Sequence, residues 1–475
     1  MKELDKNFYR KGDRTIMYTK CIDTQSGISE NISFNLEQIT FNSIRKVLPD
    51  SAILDSCKAA GYEYRHRTIT PIVTVLHMLL AAIWPQESFA ASWQVLWAAF
   101  SSRFQEVAGQ SPSLGSVAKA RARVPLSVWK HLFEWLSGQV QRLSSEFDTW
   151  RGHRVAMLDG TCIAMPDVPE LFDEFGTCSG SHGRSRYPLA RLVALCIANT
   201  MTIIDYALGC YNHSEISLAM PLLKQLKRGD LLIADRNFAA AHYYTRYLSL
   251  GLEFLTRTHP NLHISRIKRI FSYSDNDFVG WLHINPVYRR RDPELPEKIR
   301  VRFIRATVCI RGRYKAAWFV SSLLDAGLYP AEEIVQLYAR RWRIETLFRT
   351  VKVDFSADVL RSMSVGGIKK ELTARLIAVN IVRAIMIEAA VETGTDPLRI
   401  SFAHAVRAII IFAPALGTES IWRLPQIYKA MLIEIGSHYV PERPGRNEPR
   451  AVRRECKHYP ALKTTRAQWR AAYAA

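Results

Sequence analysis

No two of the eight cysteines form a C-x-x-C pair. Cys21, Cys57, Cys162, Cys178, Cys196, Cys210, Cys309 and Cys456 are scattered along the 475 residues. Such spacing excludes a disulfide framework, argues against a structural zinc, and suits reduced thiols inside a cell. Cys178 and His182 stand four apart without a second ligand pair. Long apolar runs are missing as well. The longest, Pro71–Trp84 and Ala408–Leu416, fall short of the ~18–20 residues that span a bilayer, and read as buried helices. No membrane is expected as a partner. The opening residues, MKELDKNFYR, contain no apolar stretch of the kind a secretory signal needs. There is no internal repeat. Acidic residues are scarce: 44 Asp and Glu face 64 Lys and Arg, a formal charge of +20 with a pI near 9.7.

Apolar and basic residues are plentiful. A hydrophobic content of 48% and 11 tryptophans indicate globular structure. The length suits about two to four folding units. A large, basic, cytoplasmic chain is expected to meet a polyanion, with nucleic acid first and a solubilising surface or a ribosomal role as alternatives.

Residues 51–143 have a helical pattern. Pro71–Trp84 is apolar almost all round, Trp93–Phe104 is aromatic-rich, and Ser113 or Ser116 could cap a helix that ends before Pro125. Lys119, Arg121 and Arg123 alternate with small residues. They fit a helix–turn–helix laid on DNA, and equally a solvated basic face. The texture changes at Arg154. Val155–Asp167 alternates and breaks at Asp159–Gly160–Thr161, which predicts two strand segments around a tight turn. Arg191–Tyr211 predicts a hairpin turning near Asn199–Thr200, and Ser214–Leu226 a helix capped by Ser214. Asp230–Ala234 predicts a short buried strand with Asp235 at its end, then helix Ala239–Leu250 and strand Leu252–Thr256. This order gives a mixed α/β layer with helices against a sheet. Residues 265–322 are β-like and basic, as expected for an antiparallel insert. Pro330 opens a helix, and Lys370–Glu392 and Ser401–Phe412 predict two more. The tail from Pro441 is rich in proline and arginine, and would either order on a phosphate backbone or stay a solubilising extension.

Leu337–Phe355, LYARRWRIETLFRTVKVDF, organises the rest. As one helix at ~100° per residue, it puts Tyr338, Arg341, Glu345 and Lys352 on one arc, beside an apolar arc of Leu337, Ile344, Leu347 and Val351. A carboxylate flanked by cations suits a site that holds a metal and a phosphodiester together. A surface helix laced by pairs such as Arg341 with Glu345 explains the same spacing. Asp159 and Asp235 stand on or just after buried strands, where a charge is costly unless it is paired or metal-bound. Clustered carboxylates repel, and a divalent cation removes that penalty; oxygen-only ligands favour Mg²⁺ or Mn²⁺ over zinc. Strand-end aspartates that merely cap the next turn are the alternative.

Together these residues resemble the DDE transposases of the bacterial insertion-sequence 4 family. Tyr338-x2-Arg341-x3-Glu345-x6-Lys352 matches that family's Y-R-E-K signature without a gap. Leu158-Asp159-Gly160-Thr161 with Met165-Pro166-Asp167 resembles its first aspartate block, and Ile233-Ala234-Asp235-Arg236-Asn237-Phe238 its second. Asn447-Glu448-Pro449-Arg450 extends the likeness, which covers roughly residues 50–470. The resemblance implies a ribonuclease H-like α/β core with flanking helices and a β-rich insert. It implies that Asp159, Asp235 and Glu345 hold two Mg²⁺ ions, with Mn²⁺ able to substitute, for cleavage at terminal inverted repeats and strand transfer into target DNA. Arg341 and Lys352 would grip phosphates near the cut, Tyr338 would bond a phosphate or pack on DNA, and Arg236 is a further phosphate contact. Trp318 would either stack on a flipped base or sit in the core. A dimer would act on double-stranded DNA in the cytoplasm, at the nucleoid when bound. An inactive DNA-binding descendant or a ribonuclease H-like nuclease are the alternatives. The expected divisions are residues 1–145, helical and DNA-binding; 146–264, the first part of the core; 265–322, the insert; 323–385, the second part of the core with the glutamate helix; and 386–475, helical with a basic tail.

Overall fold

The computed structural model describes residues 46–440 except 66, 86, 104–109, 148, 181–182, 185–186, 260, 311–312, 359 and 419–421, and also 468, 471 and 472. Apart from 468, 471 and 472, the tail from Pro441, with its Asn447–Arg450 block, lies outside the described residues. The chain divides into a main unit, Met1–Ala306 with Ala316–Val440, and a small one, Thr307–Lys315 with Pro441–Ala475. In the small unit the described parts are strand residues 307–310 and 313–315 and a few helical residues, 468, 471 and 472.

Among its described residues the main unit has first the helices α1 (Asp50–Ala59), α2 (Pro71–Ile83), α3 (Phe89–Arg103), α4 (Leu114–Arg123) and α5 (Leu126–Leu143). Local chemistry sets their ends. Thr70 caps α2 by accepting from the Val73 amide, with Pro71 in the first turn; Ser113 caps α4 by accepting from the Ser116 amide. Arg121 does not point outward with Lys119 and Arg123, as the alternation suggested. Its guanidinium lies 3.7 Å over the Phe89 ring, while Lys119 and Arg123 remain exposed.

Next come β1 (Thr149–Trp150), β2 (His153–Ala164), α6 (Pro169–Phe175), β3 (Ser179–Gly180), β4 (Gly183–Arg184), β5 (Leu189–Ile197), β6 (Ile203–Cys210), α7 (Glu215–Ala219), β7 (Leu231–Ala234), α8 (Ala241–Ser249) and β8 (Glu253–Arg257). β2 is one continuous strand, not two around a turn. Asp159, Gly160 and Thr161 pair with Ala194, Val193 and Leu192 of β5, so the cross-strand ladder overrides the local turn signal. The β5–β6 hairpin and the Ser214 cap match expectation. β5 and β6 run antiparallel beside β2, whereas β7 and β8 run parallel on its other side. The spatial order β6-β5-β2-β7-β8 is that of a ribonuclease H-like sheet.

The insert contributes β9 (Lys268–Ser274), β10 (Asp277–His283), α9 (Pro286–Arg291), β11 (Lys298–Ile310) and β12 (Arg313–Ser321). It is antiparallel, and it prolongs the core sheet in the order β8-β12-β11-β10-β9. Its Arg289–Arg291 run ends helix α9. One hydrophobic core, including Leu158, Phe254, Phe278 and Phe303, therefore underlies both.

The chain then forms α10 (Ala331–Ala339), α11 (Trp342–Arg349), a π-helical turn at Thr350–Asp354, α12 (Val365–Thr393), α13 (Phe402–Thr418) and α14 (Leu424–Ser437). Leu337–Phe355 is thus not one helix. Arg340, Arg341, Arg343 and Ile344 donate to carbonyls three residues back, a tight turn that interrupts the α-helical ladder. Beyond the π turn the chain docks on β2: the Ala164 amide donates to Asp358 O (3.0 Å) and the Leu360 amide to Ala164 O (3.1 Å). α12 is buried on nearly every side between Glu371 and Ala390, packed by α2, α5, α13 and α14. Asn380 pins it to the sheet by accepting from the Ile203 amide and donating to its carbonyl. No helix among the described residues is long and apolar enough to cross a membrane.

Candidate active site

All four residues of β7 are buried, and the parallel register pairs Leu158 of β2 with Ala234 of β7. The next residue in each segment is an aspartate, so Asp159, still within β2, and Asp235, just past the end of β7, stand side by side. Asp235 caps the 3₁₀ turn Arg236–Phe238, accepting from the Arg236 amide. Asp159 Oδ1 accepts from the Gly160 amide at 2.9 Å. Ile344 and Leu347 bury the inner face of α11, which carries Glu345 toward the same place. Arg341, its side chain 11% exposed, joins the two: Nη1 lies 3.3 Å from Asp159 Oδ2 and Nη2 3.4 Å from Glu345 Oε1. Tyr338 feels the Arg341 charge and stands edge-on to Phe319, ring centroids 4.9 Å apart.

The other sequence candidates lie differently. Lys352, half-buried on the π turn, exerts its charge on the Cys162 thiol further along β2. Arg236 is exposed beside Asp235. Trp318 is partly buried and packs against the core, edge-on to Phe278 at 5.8 Å.

The transposase DDE domain family matches residues 150–381, a span that contains Asp159, Asp235 and Glu345. Over 73% of this chain and 77% of the relative, the sequence is 25% identical to the transposase InsG for insertion sequence element IS4 of Escherichia coli strain K12. It is 30% identical to the putative transposase InsZ of the same organism over 26% of this chain and 42% of that one. Residues 150–381 form a transposase DDE domain, and the chain around it is similar to an insertion-sequence 4 transposase. A cryo-EM structure of piggyBac transposase synaptic complex with hairpin DNA is similar at a TM-score of 0.39 and 10% identity, over 87% of this chain and 86% of that one.

Sequence reasoning missed one carboxylate of this transposase. Glu215, first residue of α7, reaches Gly160: a Cβ on Gly160 would meet Glu215 Oε1 at 2.1 Å. It feels the charge of Asp235, while Asn237 and the Gly160 amide favour its ionised form. The available signal was Gly160 itself, since glycine inside a strand marks a close approach.

The electrostatics follow from this crowding. Burial, with the Glu215 and Asp235 charges, pushes the Asp159 carboxyl up to about 6, against the pull of the Gly160 amide and Arg341. Burial also raises Glu215, with Asp235 adding to it and Arg191 opposing. Burial works against the Arg341 charge, but Tyr338, Asp235, Asp159 and Glu345 outweigh it and raise its pKa. Four carboxylates from four segments thus crowd one place, and a single guanidinium bridges two of them. That oxygen-rich, electronegative donor set fits the divalent cations on which DDE chemistry depends.

Proposed function

We propose that Asp159, Asp235 and Glu345 are the metal-binding catalytic carboxylates of this insertion-sequence transposase, and that it cleaves DNA at terminal inverted repeats and joins the ends to a target. The observation that carries this reading is the convergence of Asp159 and Glu345 on Arg341, with Asp235 on the adjacent strand end. Two Mg²⁺ ions, with Mn²⁺ as a substitute, would activate the attacking oxygen and offset charge on the scissile phosphate. The protein's own residues do the positioning. β2 and β7 fix two carboxylates by sheet register, and α11 brings the third. Arg341 holds Asp159 and Glu345 until a phosphate arrives, and then turns to it with Tyr338 beside it. Lys352 and the exposed Arg236 extend the cationic surface for the strand.

In this reading residues 1–145 recognise the ends, and residues 386–475, with their basic tail, follow the backbone. The complex brings two ends together in a dimer, at the nucleoid in the cytoplasm. The test is cleavage of a supercoiled donor plasmid carrying the element's inverted repeats, with Mg²⁺. Asp159→Ala, Asp235→Ala and Glu345→Ala should each lose at least about 10³-fold in rate while still binding the ends. Wild-type rates in all three overturn the assignment. Binding should weaken steeply with salt as counterions are released.

A further inference from the structure

Far along the sequence from the carboxylates, His404 on α13 and Glu434 on α14 meet His438, which caps the end of α14. His404 Nε2 lies 3.2 Å from Glu434 Oε1, and His438 Nδ1 lies 3.6 Å from the same oxygen. The two imidazoles stack, centroids 3.5 Å apart and planes 15° apart. One potential ligand atom from each residue falls within 4.8 Å of the other two. His404 Nε2 is buried and makes no hydrogen bond of good geometry, close as Glu434 is. The His438 ring is held by further contacts, Nδ1 lying 3.0 Å from Glu434 O and 3.2 Å from Ser437 Oγ.

Two stacked imidazoles thus face one shared carboxylate. A single divalent ion would satisfy both rings and the carboxylate at once. Two histidines and a glutamate are a borderline-soft set suited to Zn²⁺, unlike the oxygen-only carboxylate pocket. We propose that His404, Glu434 and His438 form a transition-metal site that takes Zn²⁺ and clamps α13 to α14. The cluster sits where the chain entering α13 already pairs with the chain leaving α14: Ser401 N donates to His438 O (2.9 Å), Val440 N donates to Arg399 O (2.7 Å), and Ile400 bridges Tyr439. The ion would fasten that closure. Cysteine is not involved, which is why the cysteine pattern gives no hint of it.

The test uses full-length protein stripped with a chelator and kept in excess Mg²⁺ to fill the carboxylate pocket. Zn²⁺ is titrated against a chromophoric chelator, and thermal unfolding is followed in parallel. One equivalent should bind and raise the melting temperature. His404→Gln and Glu434→Gln should weaken that event at least about 10-fold, yet melt like wild type without Zn²⁺. Unchanged affinity in both variants would place the Zn²⁺ on thiols or elsewhere and overturn the proposal, as would the absence of any stabilising equivalent. Neither result bears on DNA cleavage, so the proposal stands or falls separately from the catalytic assignment.

Discussion

Two buried arginines of this transposase meet carboxylates in opposite ways. Arg302, on β11 of the insert, is fully buried and grips Asp277 with two donors: Nε to Oδ1 at 2.7 Å, and Nη2 to Oδ2. Its Nη1 donates to Tyr329 O at 2.7 Å. One cation meets one anion, and each carboxylate oxygen has a partner. Arg341 is nearly as enclosed, but it reaches Asp159 and Glu345 only at 3.3 and 3.4 Å, and its Nε is buried without a hydrogen-bond partner. It feels the charges of Asp235, Asp159 and Glu345 together. A buried pair with its bonds completed fixes architecture, whereas one left with stretched bonds and surplus negative charge is poised to accept a cation or a phosphate.

Substitutions can break this contrast. Arg302→Ala leaves Asp277 buried and unpaired, and should cost about 3–5 kcal/mol in denaturant unfolding. Arg341→Ala should invert that balance. Cleavage should fall about 10²–10³-fold, with a smaller loss of stability than in Arg302→Ala, since only the longer bonds to Asp159 and Glu345 are lost. A stability loss as large as that of Arg302→Ala would erase the distinction.

Asp159→Asn should kill cleavage and yet stabilise the metal-free protein by about 1–3 kcal/mol at pH 8. The sign follows from the raised carboxyl, about 6 in the fold against ~3.9 unfolded. Its charge penalises the native state fully above pH 6 and not at all below pH ~4, so the gain should fade across that window in melting experiments at stepped pH. The smallest effect is expected for Gly160→Ala. Its Cβ displaces only the flexible end of Glu215, costing under about 1 kcal/mol, but it should lower cleavage by moving that carboxylate.

The sequence made Asp235 legible because a four-residue apolar strand ends just before it. Glu345 was legible because Ile344 and Leu347 set the buried side of its helix. The interruption at Arg340–Arg341 was not. Neither proline nor glycine marks it, and tertiary contacts such as Arg340 Nη1 to Asn199 Oδ1 at 2.9 Å form only once the hairpin is in place. The continuity of β2 through Asp159–Gly160–Thr161 was hidden for the same reason: its partner β5 is distant in sequence. Glu215 could not be placed at all from local pattern, since only the fold brings α7 onto Gly160. The insert was recognisable as antiparallel, but its fusion to β8 depends on a pairing no periodicity encodes.

The segment after the π turn is stitched to Ala164, on the same strand as Asp159 and a little beyond it. Glu345 therefore takes its bearing from the strand that carries its partner, not from the intervening β-rich stretch. Changing the length of the tip of that stretch should therefore leave the spacing of the two acids as it is.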